Sequence, residues 1–133
     1  MRRKKVTVPR ERIKTPLAPA AIGPYCQAMM VGNTLYCSGQ IAINPKTGQL
    51  STDGAEIQAE VVLDNLGAVL RAAGLSYHHV VQCTVYLADI NDYAQVNEVY
   101  SRYFSDDAPT RETVQVGALP RGARVEISCV AVR

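Results

Sequence analysis

The chain predicts an α+β fold: a mixed or mostly antiparallel sheet of about six strands with two helices on one face. Three observations carry that expectation. Apolar residues alternate with a period of two near both ends of the chain and in one central stretch, but follow a helical period over 55–73 and again up to about residue 103. The elements then run in the order β-β-β-α-β-α-β-β. Finally, 133 residues, 47% of them apolar, are enough for one core and too few for two.

Residues 1 to about 20 read as an extended arm closed by the Pro-rich TPLAPAAIGP, which has little freedom to be helical. QAMMVG (27–32) and TLYCSG (34–39) flank Gly32-Asn33, a turn dipeptide between two apolar runs, and predict a β-hairpin. A third short strand is expected at QIAI (40–43), followed by a turn at NPKTG (44–48). From Ala55 to Ala73 the residues Ile57, Val61, Val62, Leu66, Val69, Leu70 and Ala73 mark one face of a helix, and Gly74 stops it. VVQCTVYLA (80–88) is rich in β-branched and aromatic residues and reads as a strand. Asp89, Asn91 and Asp92 are N-cap candidates for a second helix to about Tyr103, with Tyr93, Val96, Tyr100, Tyr103 and Phe104 as its buried side. TVQVGA and ARVEISCVAV supply the last two strands.

Two helices leave the other face of such a sheet bare. In the last strand one face is Ala123, Val125, Ile127, Cys129 and Ala131, suited to lie under helices; the opposite face is Arg124, Glu126, Ser128, Val130 and Val132, too apolar at one end for bulk water. A symmetric homo-oligomer is therefore expected.

Charge and cysteines narrow the function classes. Residues 1–14 carry a net +6, while the remainder carries −4, so a basic arm precedes a mildly acidic body. No aromatic is interleaved with the basic residues, so base stacking has no support there. Cys26, Cys37, Cys83 and Cys129 show no CxxC pairing, which argues against zinc and against a disulfide scaffold. Cys37 alternates with Leu35, Cys83 with Val81 and Val85, and Cys129 with Val125 and Ile127, as buried thiols in a reducing compartment would. There is no secretory h-region and no apolar run long enough to span a membrane; a cytoplasmic protein is expected, an organellar transit peptide being disfavoured by Pro9, Pro16 and Pro19.

Two charges stand out. Arg111 opens a strand and Glu126 sits inside another among Val125, Ile127 and Cys129. A direct hairpin between these strands would hold the pair more than ~10 Å apart. Either the strands are not neighbours, or each charge serves something other than its sequence-near partner. A guanidinium at a strand edge suits a carboxylate ligand, and a half-buried carboxylate can orient or deprotonate water. Tyr25 follows the rigid Gly23-Pro24 bend, Ser38 precedes Gly39, whose lack of a side chain would let a ligand approach the backbone, and Asn97 is a polar residue between Tyr93 and Tyr100 on an apolar helix face. His78 and His79 are adjacent and without a third histidine, so neither a His-based nucleophile nor a metal set is expected. No GxGxxG or GxxxxGK[ST] occurs.

APAAIGPYCQA, LYCSGQIAINPKTGQ, ADINDYAQVNEVYSRYF and APTRETVQVGALPRGARVEISCVAV together resemble the RidA/YjgF family of reactive intermediate deaminases, over residues 18–133 and outside the arm 1–17. The resemblance implies a chorismate-mutase-like fold, a homotrimer whose sheets form a central barrel, and sites in clefts between subunits. It implies hydrolysis of enamines and imines such as 2-aminoacrylate and 2-iminopropanoate to 2-keto acids and ammonia, with no cofactor. Arg111 would hold the substrate carboxylate and Glu126 would activate water; Tyr25, Ser38 and the Gly39 backbone would line the imine end, and Asn97 would support the pocket. Thr113 stands where many members carry a cysteine, within the substrate-binding set. Glu112, if it faced the cleft, would compete for the guanidinium. Two other activities stand beside this one: single-strand-specific endoribonuclease with translation inhibition, for which the arm offers RNA-binding charge, and a non-catalytic, chaperone-like trimer holding small carboxylates.

Overall fold

The computed structural model describes residues 8–133, so the first seven residues of the basic arm lie outside it. Six strands form one sheet: β1 (Arg10–Ile13), β2 (Ala28–Val31), β3 (Thr34–Gln40), β4 (Val80–Leu87), β5 (Thr110–Gln115) and β6 (Val125–Val132). Two helices, α1 (Ala55–Ala72) and α2 (Tyr93–Tyr103), complete the fold. The spatial order is β1-β2-β3-β6-β4-β5. All neighbours are antiparallel except β4 and β5, which run parallel because α2 provides the crossover between them.

The hairpin of β2 and β3 turns at Gly32, whose φ of 56° lies in the left-handed region that the turn requires. Two expectations for the sheet are corrected. QIAI is not a strand: only an isolated bridge joins Ile43 to Leu50, because the chain bends away after Gln40 into the Asn44–Gly48 turn. The sixth strand comes instead from the arm, where Arg10–Ile13 pairs with β2, buries Ile13 and gives the sheet its outer edge. Short and exposed on three of its four residues, β1 offers little hydrophobic pattern to read. Gln27, buried, fastens the following segment: its amide accepts from the Thr15 N–H at 2.7 Å and donates to the carbonyls of Thr15, Ala18 and Pro19.

Helix α1 ends as expected. Gly74, with φ 77°, donates to the Arg71 carbonyl and Leu75 to that of Leu70, the paired bonds of a Schellman cap. Its buried face is largely the expected one: Val62, Leu66, Val69 and Leu70 lie inside and Val61 and Ala73 pack partly buried against the core, but the face extends to Ala59 and Leu63, and Ile57 is exposed. On α2, Val96, Val99 and Tyr100 are buried, but Tyr93 is exposed.

Both helices lie on the sheet face that Val125, Ile127, Cys129 and Ala131 of β6 share, α1 over β6 and β3 and α2 over β4 and β5. Cys37, Cys129 and Cys83 occupy matched positions on β3, β6 and β4 and form one buried row of free thiols. A register shift between Val80 and Gln82 puts Val80 on that face and exposes Val81, contrary to the simple alternation. The opposite sheet face carries Tyr36, Val114 and Val132, all exposed, beside half-buried Glu126, Ser128 and Val130, and no described element covers it. No helix among the described residues is long and apolar enough to cross a membrane.

Candidate active site

The site is built as two half-sites. Arg111 lies on β5, the edge strand, in parallel register with Cys83, so its side chain shares the helix-covered face. Above it, Tyr93, Asn97 and Tyr100 of α2 fall at i, i+4 and i+7 and present one face. Arg111 Nη1 donates to Asn97 Oδ1 at 2.8 Å, and Nη2 donates to the Tyr93 hydroxyl at 2.8 Å. The guanidinium carbon stands 4.8 Å from the centre of the Tyr100 ring and 5.6 Å from that of Tyr93. These bonds use two of the five guanidinium donors, and among the described residues no carboxylate pairs with it. The group is therefore fixed in direction and still free to grip an anion. Thr113 lies on the same face, over the same small cavity.

Tyr93 and Tyr100 were not among the sequence candidates. Their spacing around Asn97 is the available signal, but tyrosines at helical spacing predict no more than a packed face.

Glu126 belongs to the other half-site. It lies on the central strand β6 between buried Val125 and Ile127, in register with Tyr86, and so points from the uncovered face. The ladder between β3 and β6 breaks between Cys37 and Gln40, leaving Ser38 and Gly39 in a bulge. Gln40, which plain alternation along β3 would set on the outer face with Tyr36, is turned by this bulge into register with Ile127 and buried. The Glu126 carboxyl group fills the space above Gly39: a Cβ built there would stand 2.9 Å from Glu126 Cδ. Ser38 donates from Oγ to the Cys26 carbonyl at 2.7 Å and from its N–H to the Gln27 carbonyl at 2.9 Å, tying the chain after Tyr25 to β3. Tyr25 is exposed and its hydroxyl accepts from the Ile22 N–H at 3.5 Å. Tyr25, Gln27, Gly39, Arg121 and Glu126 line one cavity of about 470 Å³; the Ser38 hydroxyl is held away by its backbone bond. Burial pushes the Glu126 carboxyl above the usual carboxylate range, and no described cation forms an ion pair with it.

The two strands are thus not neighbours, β4 lying between β6 and β5, and the sheet itself separates Arg111 from Glu126 within one chain. Glu112, in register with Thr84, is exposed on the face opposite to Arg111 and does not compete for its guanidinium. His79 is spent on structure, its Nδ1 accepting from the Ser76 N–H at 3.0 Å. Among the described residues no group of His, Cys, Asp and Glu is arranged to hold a metal ion.

Fold and half-sites define a small α+β protein with an open, aromatic-backed arginine on one sheet face and a half-buried carboxylate over a glycine on the other. The chain belongs to the family described as Endoribonuclease L-PSP, whose model matches residues 15–133. It is 51% identical over 124 residues to the mouse protein 2-iminobutanoate/2-iminopropanoate deaminase, covering 93% of this chain and 92% of that one. A Yersinia pestis member of the Rid protein family superimposes with a TM-score of 0.92 at 45% identity, covering 94% of this chain and 100% of that one. Escherichia coli TdcF, solved with bound serine, gives 0.89 at 42% identity, over 92% and 98% of the two chains.

Proposed function

We infer that the protein is a 2-iminobutanoate/2-iminopropanoate deaminase, hydrolysing small reactive imines and their enamine tautomers to 2-keto acids and ammonia. The observation that carries the reading is Arg111: a guanidinium pinned by Asn97 and Tyr93, backed by Tyr100 and left without a carboxylate of its own. The mouse relative's name supplies the substrate class.

In the proposed mechanism Arg111 grips the substrate carboxylate and sets the position of C2. Water adds to C2 as Glu126 takes one of its protons and returns it to nitrogen, giving a carbinolamine; Glu126 then takes the C2 hydroxyl proton and passes it to the amine as the C–N bond breaks, so that ammonia leaves and C2 becomes a ketone. A carboxyl raised by burial is suited to carrying a proton both ways. Tyr25 and the Gly39 backbone line the imine end, Thr113 and Asn97 the carboxylate end, and no cofactor enters the proposal. Since Arg111 and Glu126 leave the sheet from opposite faces, we assign them to one site across a subunit boundary, Arg111 from one protomer and Glu126 from its neighbour. A homotrimer with the uncovered sheet faces turned into a central barrel, the chorismate-mutase-like arrangement, would hide Tyr36, Val114 and Val132. The proposal keeps one domain behind a short basic segment and places it in the cytoplasm, where three buried free thiols stay reduced.

Imine decay measured with a coupled pyridoxal-phosphate dehydratase tests the reading. The wild type accelerates decay over buffer, and Arg111→Ala and Glu126→Ala each abolish the acceleration. No acceleration by a folded wild-type oligomer contradicts it. The family's description favours one second reading, RNA cleavage. A truncation removing residues 1–9, which leaves β1 in place, would then lower salt-dependent RNA binding while sparing imine hydrolysis.

A further inference from the structure

Among the described residues two buried side-chain polar atoms lack a hydrogen-bond partner, Tyr100 Oη and Thr113 Oγ1. They are not scattered. Both line the same small cavity beneath Arg111, whose volume of about 10 Å³ is that of a single water site. Tyr100 is 5% exposed, so bulk solvent does not reach its hydroxyl. Cys83 lies beside that hydroxyl, but a thiol is a weak partner and leaves it unsatisfied. Leaving two hydroxyls dry would cost the fold more than one bound water costs in entropy.

We propose that Tyr100 and Thr113 together bind one ordered water under the Arg111 guanidinium, and that this water holds the arginine at the height from which it meets the substrate carboxylate. Tyr100 then serves twice, its ring backing the cation and its hydroxyl holding the water. Burial drives the Tyr100 phenol pKa upward, so the hydroxyl stays a donor throughout the working pH range. Thr113 acquires a reason for its identity. A hydroxyl both donates and accepts strongly, as a water bridging two hydroxyls requires. Both are positioning residues, acting through Arg111. The proposal rests on the deaminase reading for its catalytic consequence and on the cavity alone for the water.

A high-resolution crystal structure of the wild type and of Thr113→Val, with steady-state kinetics on a 2-imino acid, tests it. A water peak within hydrogen-bond distance of both hydroxyls is expected in the wild type and is expected to vanish in Thr113→Val. KM should rise roughly 2- to 10-fold in Thr113→Val and in Tyr100→Phe, with a smaller change in kcat. The double variant should be no worse than the worse single, and Thr113→Ser should restore wild-type KM. A dry cavity in the wild type overturns the proposal, as does an unchanged KM in Thr113→Val or failure of rescue by Thr113→Ser. A wild type that shows the water but no imine hydrolysis instead overturns the deaminase reading and the role given to the water, leaving the water site standing.

Discussion

Gly39 and Glu126 are in contact so closely that residue 39 has no room for a side chain. A Cβ there would lie 2.9 Å from Glu126 Cδ and 3.1 Å from its Cγ, and would collide with Oε2. The bulge in β3 and the carboxylate on β6 therefore define each other.

Gly39→Ala should displace the carboxylate without unfolding the sheet, because what collides is the movable end of a side chain. A shift of about 1 Å in a catalytic group can cost on the order of 100-fold in rate. The expected outcome is a loss of that order in kcat/KM, with Tm nearly unchanged; thermal melts beside imine-decay kinetics check it.

Releasing Arg111 should weaken substrate binding more than turnover. Tyr93→Phe removes one of its two acceptors and Asn97→Ala the other. Each should raise KM roughly 3- to 10-fold, the loss of one partly exposed charge-assisted hydrogen bond.

Glu126 sets a pH dependence. Its folded pKa is raised by burial, so the folded protein binds the proton more tightly than the unfolded chain does. The associated stabilisation is present in full below the unfolded carboxylate pKa and is lost as pH rises through the folded value. Glu126→Gln should remove this slope in pH-dependent melts, making the variant more stable than wild type at neutral pH and inactive. The acid limb of kcat/KM in the wild type should fall above the ordinary carboxylate range, since the ionised form takes the proton from water.

Arg124 and Asp92 join the start of β6 to the start of α2, through Nε at 3.1 Å and Nη2 at 2.7 Å to the two carboxylate oxygens. Asp92 is buried and Arg124 half-exposed. Arg124→Ala strands a buried carboxylate, and about 2 kcal/mol is expected, below the range for fully buried pairs because water reaches the arginine. Asp92→Asn in the same chain should recover most of it by denaturant unfolding.

What could be read in the sequence was what repeats along one chain. The apolar face of β6, the hairpin at Gly32 and the glycine stop after α1 are set by local alternation, turn chemistry and capping, and each is where it was expected. β1 was hidden because a short, charged edge strand has almost no pattern of its own and forms only through pairing with β2. The direction of Gln40 and of Val81 was hidden because a bulge inverts alternation without changing composition. For the candidate site, Arg111 and Glu126 could be singled out as charges out of place, but Tyr93 and Tyr100 could not, since only the docking of α2 over β5 turns them from packing into support for a cation. That the two charges leave opposite faces depends on the register of β5 against β4, which sets Arg111 beside Cys83 while Glu126 stands beside Tyr86, and no pattern within β5 carries that register.

The central claim is that Arg111 and Glu126 complete one site from two protomers, and subunit complementation tests it most directly. Arg111→Ala and Glu126→Ala proteins, each inactive alone, would be mixed in equal amounts, unfolded and refolded together, and assayed on a 2-imino acid. If every cyclic trimer that contains both kinds of subunit regains one intact site, activity should return to about a quarter of the wild-type rate. No recovery, with mixed oligomers demonstrated by native mass spectrometry, would contradict the claim.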